Sequence, residues 1–150
     1  MDINIRPYKP TDKDSLVHIF KNNVPKYFDP SEINDFKNYL HTKSDTYLTV
    51  ESENRIVGGV GYEANTLNQT GSITWIFFDP ECTGKGIGSK AVDHCIHEIK
   101  KNSHINRLTV RTSQLAYQFF EKFGFTLMKT EKNYWGEGLD LYEMEMTDDG

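Results

Sequence analysis

Three alternating glycines, Gly84, Gly86 and Gly88, constrain this chain more than any other feature. They lie within Phe78-Asp79-Pro80-Glu81-Cys82-Thr83-Gly84-Lys85-Gly86-Ile87-Gly88-Ser89-Lys90. Before them runs a strand-like stretch ending in Trp75-Ile76-Phe77-Phe78, and after them a helical stripe of Ala91, Val92, Cys95, Ile96 and Ile99. Glycines between a strand and a helix let the backbone approach a ligand and turn several N–H groups toward one point. The helix start adds positive potential. Such a loop suits a phosphate or pyrophosphate, and Lys85 and Lys90 add charge.

The rest of the chain sets the context of this loop. Ile3 and Ile5 alternate with polar residues, which predicts a strand ending near Pro7. Thr11 or Asp12 is placed to cap a helix carrying Leu16, Ile19 and Phe20, stopping before Pro25. Asp29-Pro30-Ser31-Glu32 starts a second helix, with Asp29 as cap, Pro30 in the first position and Glu32 reaching back. The period then changes. Strands are expected over 47–51 and 55–62 with a tight turn at Ser52-Glu53-Asn54, and a third over 72–78. A helix over 87–100 follows the glycines, then a strand through Leu108 and Val110 and a short helix over 115–123, closed by Gly124. Two last strands, around 125–128 and over 139–146, flank a turn Tyr134-Trp135-Gly136-Glu137-Gly138. No repeat or linker interrupts the 150 residues, so residues 1–150 are expected to form a single domain.

Of two other phosphate-loop readings, one fails on pattern and the other is demoted by its context. A Walker loop needs Gly-Lys-Ser/Thr, and here Ser89 precedes Lys90. A dinucleotide loop opens the first strand–helix–strand unit, whereas this one follows an antiparallel meander. The segment instead resembles the acetyl-CoA pyrophosphate loop of GNAT N-acetyltransferases, Arg or Gln, two residues, Gly, one residue, then Gly or Ala. Phe78-Asp79-Pro80 is similar to that family's valine-x-proline at the end of its fourth strand. Ala116-Tyr117-Gln118-Phe119-Phe120-Glu121-Lys122-Phe123-Gly124-Phe125 looks like its Ala-x-x-Phe-Tyr-Glu-Lys-x-Gly-Phe helix. The resemblance implies a mixed α/β fold, with a mostly antiparallel sheet of about seven strands and about four flanking helices. Two departures stand out. Thr83 replaces the usual Arg or Gln, and Phe120 stands where many members carry the tyrosine that protonates the departing thiolate.

The resemblance further implies direct transfer of acetyl from acetyl-CoA to an amine while both are bound, which needs positioning, a proton route and oxyanion stabilisation. Cofactor contacts are expected from Ile76, Phe77 and Phe78, from the loop Thr83, Gly84, Lys85, Gly86, Ile87, Gly88 and Ser89, and from Ser113 and Phe120. Trp75 stands about where some members place a glutamate base, so Glu63 is the candidate base, with a water relay as the alternative. Candidate acids are Ser113, at the place of the family's asparagine, Tyr117 and Tyr134.

An acceptor pocket is expected between the first helix pair (Tyr27, Phe28, Asp29, Glu32) and the last hairpin (Tyr134, Trp135, Glu137). Aromatics beside carboxylates suit a cationic small-molecule amine. Two other functions stay open: a non-catalytic acyl-CoA-binding or regulatory module, and a protein or peptide N-acetyltransferase. Seventeen Lys+Arg against 22 Asp+Glu give a net charge of −5, which argues against nucleic acid as a partner. Two cysteines without C-x-x-C spacing, no apolar leader and no run long enough to span a membrane point to a cytoplasmic protein without a membrane partner. His94 and His97 lack a third ligand, so no metal is expected, and the chain is expected to be a monomer or homodimer.

Overall fold

The computed structural model describes residues 2–82, 86–102 and 104–147. In chain order the elements are β1 (Ile3–Pro7), α1 (Lys13–Lys21), α2 (Glu32–Thr42), β2 (Tyr47–Ser52), β3 (Arg55–Asn65), β4 (Thr70–Phe78), α3 (Ile87–Lys100), β5 (Arg107–Thr112), α4 (Tyr117–Glu121), β6 (Thr126–Gly136) and β7 (Leu139–Thr147). One seven-stranded sheet forms in the order β1-β2-β3-β4-β5-β7-β6. Neighbours are antiparallel except β4 and β5, which run parallel. A parallel pair cannot be closed by a hairpin, and α3 supplies the crossover. The architecture is the mixed, mostly antiparallel α/β layer expected from the sequence. No helix among the described residues is long and apolar enough to cross a membrane.

The period-2 pattern of the strands feeds two cores. On one face, Ala91, Val92, Cys95 and Ile99 of α3 pack with Leu48, Val50, Ile73, Leu108 and Val110. On the other, Leu16 and Phe20 of α1 and Phe36 and Leu40 of α2 pack with Tyr47 and Phe77. Sequential residues of β4 go to opposite sides, Phe77 to the α1/α2 core and Phe78 to the α3 core. The alternation breaks at Trp75, which takes φ 46° in a bulge where the β3–β4 register shifts between Gly59 and Gly61. Tyr47 donates its hydroxyl to the Trp75 carbonyl at 2.9 Å. Its ring fits because β3 is glycine at 59 and 61, where any Cβ would collide with that ring.

Some expected boundaries move. Helix α2 begins at Glu32, after a turn in which the Glu32 and Ile33 amides donate to the carbonyls of Asp29 and Pro30. The Asp12 carboxylate does not cap α1. It accepts both Arg6 guanidinium nitrogens, at 2.8 and 2.9 Å, and the Thr49 hydroxyl at 2.9 Å. Helix α4 covers only Tyr117–Glu121, because the Ala116 and Tyr117 amides are spent on a turn closed by the Ser113 carbonyl. Strand β6 runs on to Gly136, so Tyr134 and Trp135 lie in a strand and the turn shrinks to Glu137 and Gly138.

Candidate functional site

Strands β4 and β5 pair only from Thr70↔Arg107 to Ile73↔Val110. Beyond that register β4 continues to Phe78 and β5 to Thr112 without further pairing, so one edge of β4 is left without a strand partner. The gap opens a cavity of about 560 Å³ that reaches both faces of the sheet. Gly88, Ala116, Phe119 and Phe120 line it from the α3/α4 side, and Tyr27, Phe28, Glu32 and Trp135 from the α1/α2 side.

On the α3 side the junction between strand and loop is pinned by Asp79. Its amide donates to the Val57 carbonyl at 2.8 Å, and its carboxylate accepts from the Glu81 amide at 3.0 Å and from Arg55 at 3.1 Å. Arg55 also donates to the Cys82 sulfur at 3.3 Å. Gly86 takes φ 74° directly before α3, a conformation that favours glycine, and no side chain among the described residues caps the helix. The first intrahelical bond runs from the Lys90 amide to the Gly86 carbonyl, which leaves the amides of Ile87, Gly88 and Ser89 without an acceptor in the helix. Gly88 brings this turn against α4: a Cβ there would stand 3.1 Å from the Phe119 ring. Open amides, a dipole end and close approach are what a diphosphate requires. Thr83, Gly84 and Lys85 lie outside the described residues.

On the α1/α2 side, a Cβ on Gly136 would overlap the Asp29 side chain, so the segment between α1 and α2 touches the end of β6 next to Phe28 and Trp135 of the cavity wall. Glu32, only 7% exposed, lies in the same wall. One carboxylate oxygen, Oε2, accepts the Asp29 amide at 2.9 Å, the reach-back expected of a capping box. No donor among the described residues serves Oε1, that atom is not sealed from solvent, and Glu32 is one of the residues that line the cavity. Burial raises the Glu32 carboxyl to about 7, reinforced by Asp29 and Asp35. Asn23 ties α1 to the end of β4, donating to the carbonyls of Ile19 at 2.9 Å and Phe78 at 3.0 Å.

The expected site residues divide. Ile76, Phe77, Phe78, Gly88, Ser113 and Phe120 line the cavity, as does Glu63 at its exposed end. Ser113 is buried and its hydroxyl oxygen accepts the Leu115 amide at 3.2 Å, which leaves the hydroxyl proton free to point elsewhere. Ile87 is packed into the α3 core, and Ser89 is exposed on the helix. Tyr117 and Tyr134 are not brought to the cavity. The Tyr117 ring packs on Tyr142 at 4.8 Å, and the Tyr134 hydroxyl accepts Arg111 Nη2 at 2.6 Å. Asn23, Thr109, Arg111 and Phe119 line the cavity although their sequence context singles none of them out as a site residue. For Arg111 the signal was present: two places after Thr109 and flanking Val110, it is a cation on the strand face opposite the α3 core.

The sequence pattern of the Acetyltransferase (GNAT) family matches residues 13–125. No curated protein matches the chain in sequence. Among solved structures, Ard1 from Thermoplasma volcanium superposes with a TM-score of 0.81 at 16% identity, over 98% of this chain and 98% of its own. An N-acetyltransferase from Staphylococcus aureus Mu50 gives 0.76 at 18%, over 98% of this chain and 99% of its own. The protein yncA from Salmonella typhimurium, solved with its cofactor acetyl-CoA, gives 0.72 at 15%, over 100% of this chain and 96% of its own. At these identities the likeness is one of fold.

Proposed function

Because this chain belongs to the GNAT family of acetyltransferases, we propose that it transfers the acetyl group of acetyl-CoA to a small amine bound at the same time. The observation that carries the reading is the gap between β4 and β5 beyond Ile73 and Val110. It joins a diphosphate-ready helix start on one face to a chamber with Glu32 and Glu63 in its wall on the other. The yncA structure, which holds acetyl-CoA in the same fold, supports the choice of cofactor.

Bound acetyl-CoA supplies an activated acyl carbon, and the protein's part is to position it and move protons. The amides of Ile87, Gly88 and Ser89 receive the diphosphate, and the unpaired edge of β4 offers backbone groups to an extended arm. Phe119 and Phe120 keep water from the α4 side of the gap. Glu32, in the chamber wall, takes the proton released by the amine, and Glu63 at the exposed end passes it toward solvent. Ser113 is the one buried hydroxyl of the three candidate acids that reaches the cavity.

The contact between Asp29 and Gly136 favours a small acceptor over a peptide, since a chain laid across the chamber would have to part the two segments. The test is thiol release from acetyl-CoA with a panel of small amines and of peptide N-termini. Turnover with small amines alone supports the reading, and turnover with peptides alone rejects the small acceptor. Tight binding of coenzyme A without turnover on any acceptor would favour a non-catalytic binding module, the alternative raised by the missing acid at Phe120.

A further inference from the structure

We propose that the acceptor is an amino acid-like zwitterion, whose anionic group is held by Arg111 and whose amine is held by Glu32. The proposal rests on the acetyl-transfer reading and names the substrate class of that site.

Only three charged residues line the cavity among the described residues: Glu32, Glu63 and Arg111. On β5, Leu108 and Val110 enter the α3 core, so Thr109 and Arg111 face the α1/α2 side. Thr109 marks that face, its hydroxyl meeting the Ser72 hydroxyl at 2.9 Å in the wall of the cavity. Arg111 is therefore on the acceptor side and not beside the glycine turn. Its exposed guanidinium lies with Cζ 5.0 Å from the Tyr134 ring centre and 5.7 Å from that of Trp135, and donates one bond to the Tyr134 hydroxyl. Among the described residues no carboxylate forms an ion pair with it, Glu32 and Glu63 included. A guanidinium near aromatic rings with one N–H committed to a hydroxyl keeps its remaining N–H groups for a planar anion.

Opposite charges in one chamber that do not neutralise each other invite a ligand carrying both. Glu32 Oε1 is the matching end, not sealed from solvent and without a protein donor among the described residues. Two carboxylates alone would fit a diamine equally well. Arg111 repels a second ammonium and attracts a carboxylate or another oxyanion, which separates the two classes.

The experiment compares matched acceptors in the thiol-release assay: amino acids, monoamines of the same carbon skeleton lacking the carboxylate, and diamines. The expected result is a preference for the carboxylate-bearing acceptor of about tenfold or more in kcat/KM, equivalent to one good charge contact. Arg111→Gln abolishes this preference by raising KM for the carboxylate-bearing acceptor far more than for the monoamine, with coenzyme A affinity retained, while Arg111→Lys keeps part of it. Preference for a diamine, or an equal loss on both acceptors in Arg111→Gln with coenzyme A affinity intact, overturns the proposal. Absence of both coenzyme A binding and thiol release would instead overturn the acetyl-transfer reading. In that case quenching of Trp75 and Trp135, both in the cavity wall, still reads binding of amino acids directly. Saturable quenching lost in Arg111→Gln supports the anion site, and no quenching by any amino acid rejects it.

Discussion

Tyr47, 1% exposed inside the sheet, donates its hydroxyl to the backbone carbonyl of Trp75 at 2.9 Å. That carbonyl belongs to the bulge that turns β4 out of register with β3, and the turned segment is the one that faces the gap to β5. Tyr47→Phe keeps the ring and leaves the carbonyl without its donor, at a cost of about 1–3 kcal/mol. Urea denaturation measures this. Stability unchanged from the parent protein would mean that the bulge is held by packing alone.

Asp29 meets Gly136 beside Phe28 and Trp135, two residues of the cavity wall on the α1/α2 side. Gly136→Leu forces the two segments apart while leaving α3 and the gap untouched. The acceptor KM should rise severalfold and coenzyme A affinity stay constant. A parallel loss of both, measured by steady-state kinetics and calorimetry, would show that the hairpin supports the cofactor side as well.

Arg6 sets the acid limit of stability. Its guanidinium holds the Asp12 carboxyl down at about 2, below its ordinary value of 3.8. A depressed carboxyl stabilises the fold above its unfolded pKa and loses that contribution as pH falls through the folded one. Stability should therefore drop between about pH 4 and pH 2, by roughly 1–2 kcal/mol from this group, since Arg6 is partly solvated. Asp12→Asn should flatten that limb in chemical denaturation followed across the range. An unaltered acid profile would remove Asp12 from the account.

Glu32 has the opposite sign. Burial raises its carboxyl from 4.5 to about 7, so the folded state binds its proton more tightly than the unfolded chain does. Its stabilising contribution is complete below pH 4.5 and is lost as pH rises through about 7. Activity should run the other way, with kcat/KM rising toward a midpoint near 7 as the base ionises. Glu32→Gln should flatten both profiles and lower turnover by about 10²-fold. Intact pH-dependent activity in Glu32→Gln would pass the role to Glu63 or to a water chain.

Phe120 has no proton to give, although it is buried and lines the cavity. Phe120→Tyr should leave turnover similar or raise it, because it adds a proton donor to the cavity wall. Single-turnover thiol release reads this directly. A collapse of turnover with an unchanged melting curve would mean that the Phe120 packing on Phe119 and Phe125 matters more than the missing hydroxyl.

Elements with strong local signals were legible in the sequence. The stripe from Ala91 to Ile99 behind the glycines predicted a helix over 87–100, and α3 spans those residues. Capping logic likewise placed Glu32 reaching back to Asp29. Strand β6 was not legible through its second half: Lys129-Thr130-Glu131-Lys132-Asn133 is exposed throughout and has no apolar alternation. Its strand state comes from pairing with β7, a long-range partner. The candidate site shows the same division. Glycine spacing pointed to the turn before α3, but the chamber wall involves contacts between distant segments, among them Arg111 with Tyr134 and Trp135. Tyr117 packs on Tyr142 and Tyr134 bonds Arg111, long-range partners that no local pattern shows, and both tyrosines stay out of the cavity wall. Nor does the Trp75 bulge have a local signature, since tryptophan rarely adopts positive φ.

Titration calorimetry of the folded protein with acetyl-CoA and with coenzyme A probes the cradle between β4, α3 and α4 most directly. Saturable binding at one site per chain, weakened when a side chain at Gly88 is driven against Phe119, is the result predicted. No heat from either ligand, in protein whose circular dichroism and melting curve show it folded, would contradict the assignment.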